Sequence, residues 1–224
     1  MKPVLLLATL TMLCSCSRRP LSRLVKEDFS NRYEGTTTGI RERISADGYF
    51  QYWRKDMIRY NQELQKQDTM WYNILFYEDG TFLYNFSAPS GQAIAIPDYL
   101  QQVAANGKND LFYRSFFWGI YRLSGDTIIA QCLSYAGTSY NNPWKPGEFR
   151  YRILAPDRLQ LIGSRELEGD TPADTILQAA LLQNASLLQF YPAQLPPPFS
   201  WLKEEKVFWR HEEDWKNYMN TLSK

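Results

Sequence analysis

The chain is short of nearly every residue pattern that carries chemistry. It has one histidine, His211, and three cysteines among 224 residues. One imidazole and so few thiols cannot assemble the usual transition-metal sets within one chain. A Ser-His-Asp or Cys-His centre would have to use His211, which has no nucleophile near it in sequence. Flanked by Arg210, Glu212 and Glu213, it reads as a solvated residue at an element junction. No glycine-rich phosphate loop is present, since Gly107, Gly119 and Gly125 fall in unrelated turns. A net charge of +1 gives no electrostatic footprint for nucleic acid. The apolar run over residues 4–13 is too short to span a bilayer. Glycine and proline, at 12 each, do not point to gross disorder. Carboxylates are the one remaining catalytic resource, and glycosidase-type work needs two of them facing across a cleft. Here Glu166, Glu168 and Asp170 share one segment and Glu212, Glu213 and Asp214 open a helix, while Asp47, Asp79, Asp126 and Asp157 fall in turns that favour aspartate locally. The reading is non-enzymatic, with no cofactor and no metal implied.

What is present begins at the N-terminus. Lys2, the apolar run and Leu13-Cys14-Ser15-Cys16 follow one another in the order of a processed export signal, with a small residue before Cys16. The segment resembles a bacterial lipoprotein signal peptide with its lipobox. The resemblance implies cleavage of residues 1–15, lipid on the Cys16 thiol and amine, and a cell-envelope address through a membrane anchor. Cys14 is the weaker acceptor, because bulky Met12 and Leu13 precede it. Ser17, where aspartate would suggest inner-membrane retention, leans toward the outer membrane of a Gram-negative bacterium. With Cys14 removed and Cys16 lipidated, Cys132 is the only thiol left, so the mature monomer has no disulfide. Cys132 shares a strand face with Ile128 and Ala130 and reads as a buried, inert thiol.

Aromatics make up 15% of the chain, including 7 Trp and 15 Tyr, suited to cores, pocket walls and interfaces. The patterning predicts a tether over residues 16–31 and strands over 38–44 and 49–53. The polar stretch 54–67 is a short helix or a long loop. Glu78-Asp79-Gly80 joins strands 71–77 and 81–86, with Phe82, Tyr84 and Phe86 alternating along one face. A helix follows over 97–106, then hairpins over 116–135 and 148–164, a helix from Thr171, and a strand over 187–191. Residues 192–199 hold four prolines and form a stiff connector. Residues 207–209 are strand-like. In the final helix Trp215, Tyr218, Met219 and Leu222 share a face. Turn signals between short strands favour an antiparallel sandwich or barrel.

Asp47-Gly48-Tyr49-Phe50, residues 76–81 and residues 119–128 together resemble the lipocalin-like (calycin-type) lipoproteins of Gram-negative bacteria. Gly39-Ile40-Arg41 lacks the tryptophan of the usual Gly-x-Trp signature. The resemblance implies a mainly β fold, an antiparallel meander closing into a barrel or half-barrel, with peripheral helices and a C-terminal helix. The organisation expected is a signal peptide (1–15), a lipidated tether (16–31), the β domain (32–191), and a proline-rich arm with C-terminal helix packed on the domain (192–224). Phe82, Tyr84, Phe86, Trp118, Tyr121 and Tyr151 either fill the barrel or wall a pocket for a small apolar or amphipathic ligand, with Arg122, Arg150 or Arg152 fixing polar groups. The alternative is an envelope interaction or assembly module, in which the arm grips a protein partner instead of latching over an open barrel end or edge.

Overall fold

The computed structural model describes residues 21–60, 64–88, 94–115, 117–135, 144–166 and 187–222. The signal peptide, Cys16 and the expected helix from Thr171 lie outside them, as do Glu168 and Asp170. Eight antiparallel strands follow one another in chain order and close into a barrel: β1 (Gly48–Tyr60), β2 (Leu64–Phe76), β3 (Thr81–Tyr84), β4 (Phe117–Ser124), β5 (Thr127–Tyr135), β6 (Trp144–Ala155), β7 (Arg158–Glu166) and β8 (Leu187–Pro192). β8 pairs with β7 and returns to β1, with Phe50 opposite Phe190. Closure removes the sheet's edges except where the β1–β2 hairpin runs on beyond its pairing with β3 and β8. Closure brings backbones very near one another: a Cβ on Gly48 would stand 2.1 Å from the Tyr191 carbonyl oxygen.

Strand alternation sorts side chains between two cores. Inside lie Phe50, Tyr52, Tyr72, Ile74, Phe76, Phe82, Tyr84, Tyr121, Ile128, Ala130, Cys132, Tyr151, Leu159, Leu161 and Leu188. Outside, Tyr49, Leu75, Tyr77, Leu83, Trp118, Ile120 and Leu133 form a wall covered by peripheral elements. These covering elements are α1 (Leu21–Asp28), α2 (Ile96–Asn106), α3 (Phe112–Ser115) and the chain after β8, including α4 (Glu212–Leu222). β3 is consequently buried on both faces. On the opposite side, β6 turns Arg150 and Arg152 to solvent while Tyr151 points inward. The apolar interior is the reverse of a lipid-spanning barrel, whose lumen is polar. Among the described residues no helix is long and apolar enough to cross a membrane.

Several elements depart from the sequence expectations. Residues 38–44 are not a strand. Gly39 takes φ 71°, a 3-10 helix follows over Ile40–Glu42, and Ile44 N–H donates to the Ile40 carbonyl at 2.9 Å. The two isoleucines are four apart, a helical spacing, and both are buried in one end of the barrel. The stretch 54–67 is neither helix nor long loop but belongs largely to the β1–β2 hairpin, in register from Phe50↔Ile74 to Tyr60↔Leu64. A polar segment needs no apolar period when its backbone groups are met by a neighbouring strand. The expected tether is helical from Leu21, and Val25 and Phe29 are buried in the outer core. Residues 207–209 form no strand: a 3-10 helix covers Lys206–Phe208, with one parallel bridge between Tyr33 and Trp209. The arm packs on the outer wall, where Leu202, Phe208 and Trp209 join its core, not over an open end or edge. Trp215, Tyr218, Met219 and Leu222 are the half-buried stripe of α4, together with Asp214.

Candidate functional site

The barrel has two unlike ends. Ile40, Ile44 and Ala46 plug one of them. Backbone bonds hold the plug there: Thr38 N–H to Glu78, Ser45 N–H to Pro156, and Ala193 N–H to Asp47. The tight β2–β3, β4–β5 and β6–β7 turns surround this end. In a meander the ends of β1, β3, β5 and β7 and the starts of β2, β4, β6 and β8 lie at the opposite end.

Aromatic rings fill the interior in tiers. Nearest the plug, Phe76 stacks on Phe82 at 5.9 Å and meets Tyr121 and Tyr151 edge-on at 5.4 and 5.7 Å. The Tyr121 hydroxyl donates to the Tyr77 carbonyl at 2.6 Å and lies 2.6 Å from Thr38 Oγ1, which ties the wall to the plug segment. The next tier is a continuous stack. Tyr52 lies on Tyr72 at 4.9 Å, Tyr72 on Tyr84 at 5.9 Å, and Tyr84 on Phe149 at 4.2 Å and on Phe117 at 6.3 Å. The hydroxyls of Tyr52 and Tyr84 are 3.1 Å apart and bonded. Phe117 and Phe149 are only half-buried, so this tier is where the described interior begins to open. Tyr151 stacks on Phe149 at 6.3 Å, and its buried hydroxyl has no partner among the described residues.

Of the six residues expected at a ligand site, Tyr84 stands in the opening tier. Phe82, Tyr121 and Tyr151 form the packed floor beneath it. Phe86 and Trp118 are elsewhere, in the outer core. The expected row of Phe82, Tyr84 and Phe86 is broken because β3 ends at Tyr84 and Asn85 takes φ 55°, which turns the chain before Phe86. Phe86 then packs on Phe112 and Tyr49. Trp118 points outward because Phe117 and Gly119 take the inward positions of β4; its ring stacks on Tyr77 and Tyr113. Gly119 is required where it stands, since a Cβ there would lie 2.2 Å from both the Gln131 carbonyl oxygen and the Phe82 ring. The sequence expectation missed Tyr52, Tyr72 and Phe117. Tyr52 and Tyr72 face each other at one inward register position, and Phe117 stands opposite the expected Tyr84.

The electrostatics of the interior suit binding better than proton transfer. Burial pushes the Tyr121 and Tyr151 phenols well up, so both stay neutral. Burial also pushes the Cys132 thiol up to about 12, which leaves it unreactive at neutral pH. His211 is exposed. Among the described residues no group of three or more His, Cys, Asp or Glu is placed to hold a metal ion. Arg150 does not face the interior but lies outside, where it and Arg165 bond buried Glu148 at 2.9 and 3.1 Å. Burial alone would raise the Glu148 carboxyl; bonds from Arg165, Gln131 and Arg150 more than offset this and hold it below its ordinary value. Gln131 in turn accepts the Ser30 and Asn31 N–H groups at 2.9 Å, which fastens the chain after α1 to the barrel wall. Comparison of the chain with family models, with curated proteins and with solved structures gives no match.

Proposed function

We propose that this is a lipid-anchored cell-envelope protein, attached through Cys16 to the outer membrane of a Gram-negative bacterium, that binds a small amphipathic ligand at the unplugged end of its barrel. The observation that carries the binding role is the stack of Tyr52, Tyr72, Tyr84, Phe117 and Phe149, whose outer rings are half-buried while the tier beneath is closed. Flat rings with a few hydroxyls give an apolar surface with polar handles, the composition of small-molecule sites. Titration with the fluorescent amphiphile 1-N-phenylnaphthylamine tests it. Saturable enhancement is expected, weakened about tenfold or more in Phe149→Ala, since a buried aromatic contact is worth on the order of 1.5–3 kcal/mol. A linear, unsaturable response, or one indifferent to Phe149→Ala, refutes the site.

One observation favours an interaction module as the second reading. Trp53 and Trp71 are direct cross-strand partners on the outward face of the β1–β2 hairpin, each 54% exposed. They stand where the hairpin outruns its neighbours, since β8 pairs only to Gln51 and β3 only to Ile74. An exposed tryptophan pair marks a surface that gains from being covered. The arm offers less to a partner, because Leu202, Phe208 and Trp209 are already buried against the domain. Loss of co-purifying envelope protein in Trp53→Ser/Trp71→Ser, with dye binding intact, would favour this reading over the first.

A further inference from the structure

A second concavity, of about 260 Å³, lies outside the barrel at its plugged end. Residues 32–38, the β2–β3 turn and β4 enclose it, and its polar lining includes Arg32, Arg122, Thr36, Thr37 and Asp79. It is separate from the aromatic tier, and nothing in it depends on the ligand proposed there.

Charge pairing in this cleft is uneven. Its two acids are committed elsewhere. Asp79 bonds the Lys203 ammonium, which is 5% exposed and also donates to the Pro198 carbonyl at 2.7 Å. Asp79 accepts from Thr81 as well, through backbone and hydroxyl. Glu34 pairs with Arg210 at 2.6 Å. The two arginines have no such partner. Arg122 spends only its Nε, on the amide oxygen of Asn31 at 3.1 Å, which leaves both terminal nitrogens without an acceptor among the described residues. Arg32 donates to the carbonyls of Val25, Phe29 and Asn31 and pairs with no carboxylate among the described residues. Burial and the nearby Arg210 both lower its pKa, so an anion would relieve a position that the fold makes unfavourable.

Both guanidiniums are held in place. Asn31 is buried and donates through Nδ2 to the Ile120 and Ile129 carbonyls at 3.1 and 2.9 Å, so the oxygen that holds Arg122 is itself fixed to the barrel wall. Arg32 is fixed by the carbonyls at the end of α1. Preorganised arginine forks bind planar and tetrahedral oxyanions strongly because little side-chain freedom remains to be lost. The free fork of Arg122, the Arg32 hydrogens not given to carbonyls, and the Thr36 and Thr37 hydroxyls together supply more donors than the two oxygens of a carboxylate accept. A phosphate monoester, with three terminal oxygens, matches the set.

We propose that the cleft between Arg32 and Arg122 binds the phosphate group of a phosphate monoester, carried either by a small soluble molecule or by a lipid headgroup. Calorimetric titration of the full chain with glycerol phosphate, and sedimentation with vesicles containing phosphatidic acid, distinguish the sources. The site predicts saturable binding in at least one arm. It also predicts about tenfold or more weakening in Arg122→Gln, as expected on losing bonds from a charged donor. Sodium acetate at equal ionic strength should not compete. Arg122 is exposed, so its replacement leaves the fold intact, which an unchanged thermal midpoint checks. Binding in the first arm alone identifies a soluble phosphoester, and binding in the second identifies a headgroup. No saturation in either arm, or affinity unchanged in Arg122→Gln, overturns the proposal.

Discussion

Replacing Trp209 with alanine removes the residue that joins the C-terminal arm to the N-terminal segment. The indole is 8% exposed. It meets Tyr33 edge-on at 4.4 Å and Tyr218 of α4 at 5.5 Å, and its Nε1 donates to the Lys203 carbonyl at 2.9 Å. Truncating a buried tryptophan costs about 3–5 kcal/mol from lost transfer energy and the cavity left behind. Two aromatic contacts and a stranded carbonyl place this site toward the upper part of that range. Against a total stability of roughly 5–15 kcal/mol for a domain, the loss is large. Urea melts followed by far-ultraviolet dichroism should show a lower midpoint with the slope unchanged, because the same surface is exposed on unfolding. The arm also carries Lys203, buried between the Tyr33 and Tyr218 rings at 5.4 and 5.9 Å and paired with Asp79, so loosening Trp209 should loosen that ion pair with it. A midpoint shifted by less than about 0.5 kcal/mol equivalent would refute the reasoning and return the arm to the role of a partner-binding segment.

Cys16→Ser should release the protein from membranes and abolish fatty-acid labelling, while Cys14→Ser should leave both unchanged; label retained in the first variant overturns the anchor. Gly119→Ala should destabilise by roughly 1–3 kcal/mol or more, because its Cβ would strike the Gln131 carbonyl and the Phe82 ring, and a wild-type melt would contradict the observed approach of β3, β4 and β5. Glu148 has a folded-state pKa below its unfolded value, so its contribution is present at neutral pH and lost as pH falls through and below the ordinary carboxylate range. Glu148→Gln should therefore reduce the acid sensitivity of stability in that window, and equal pH profiles for both proteins would remove Glu148 as its source. Cys132 should react with a thiol reagent only on unfolding, and rapid labelling of the native protein would contradict its burial.

The barrel was legible where the chain states its own turns. Gly80 takes φ 89° and Gly125 φ 60°, and the hairpins they close lie where Asp79-Gly80 and Gly125-Asp126 place them. Short connections give the β2–β3, β4–β5 and β6–β7 pairs directly, whereas the long β3–β4 and β7–β8 connections leave the joining of those pairs to the barrel itself. Three features were not legible for physical reasons. Ile40 and Ile44 carry helical spacing inside a segment short enough to pass for a strand, and only the barrel end they fill decides between the two. The outer half of the β1–β2 hairpin has no apolar period, because its order comes from mutual pairing of its strands. Which aromatics face inward could not be read from alternation in β3 and β4, since both faces of those strands are covered. Phe82 and Trp118 look equally apolar in sequence and lie on opposite sides of the wall. Tyr52 and Tyr72 were missed as tier members for another reason: their role follows from cross-strand register, a relation between separate segments of the chain.

The central claim is that a ligand rests on the tyrosine tier at the unplugged end, and tyrosine-selective carbon-13 NMR during titration with 1-N-phenylnaphthylamine tests it most directly. The account predicts saturable shifts confined to Tyr52, Tyr72 and Tyr84 and the neighbouring Tyr151, with Tyr33, Tyr77 and Tyr218 of the outer core unmoved. Shifts confined to the outer tyrosines, or no shift at saturating probe, would contradict it.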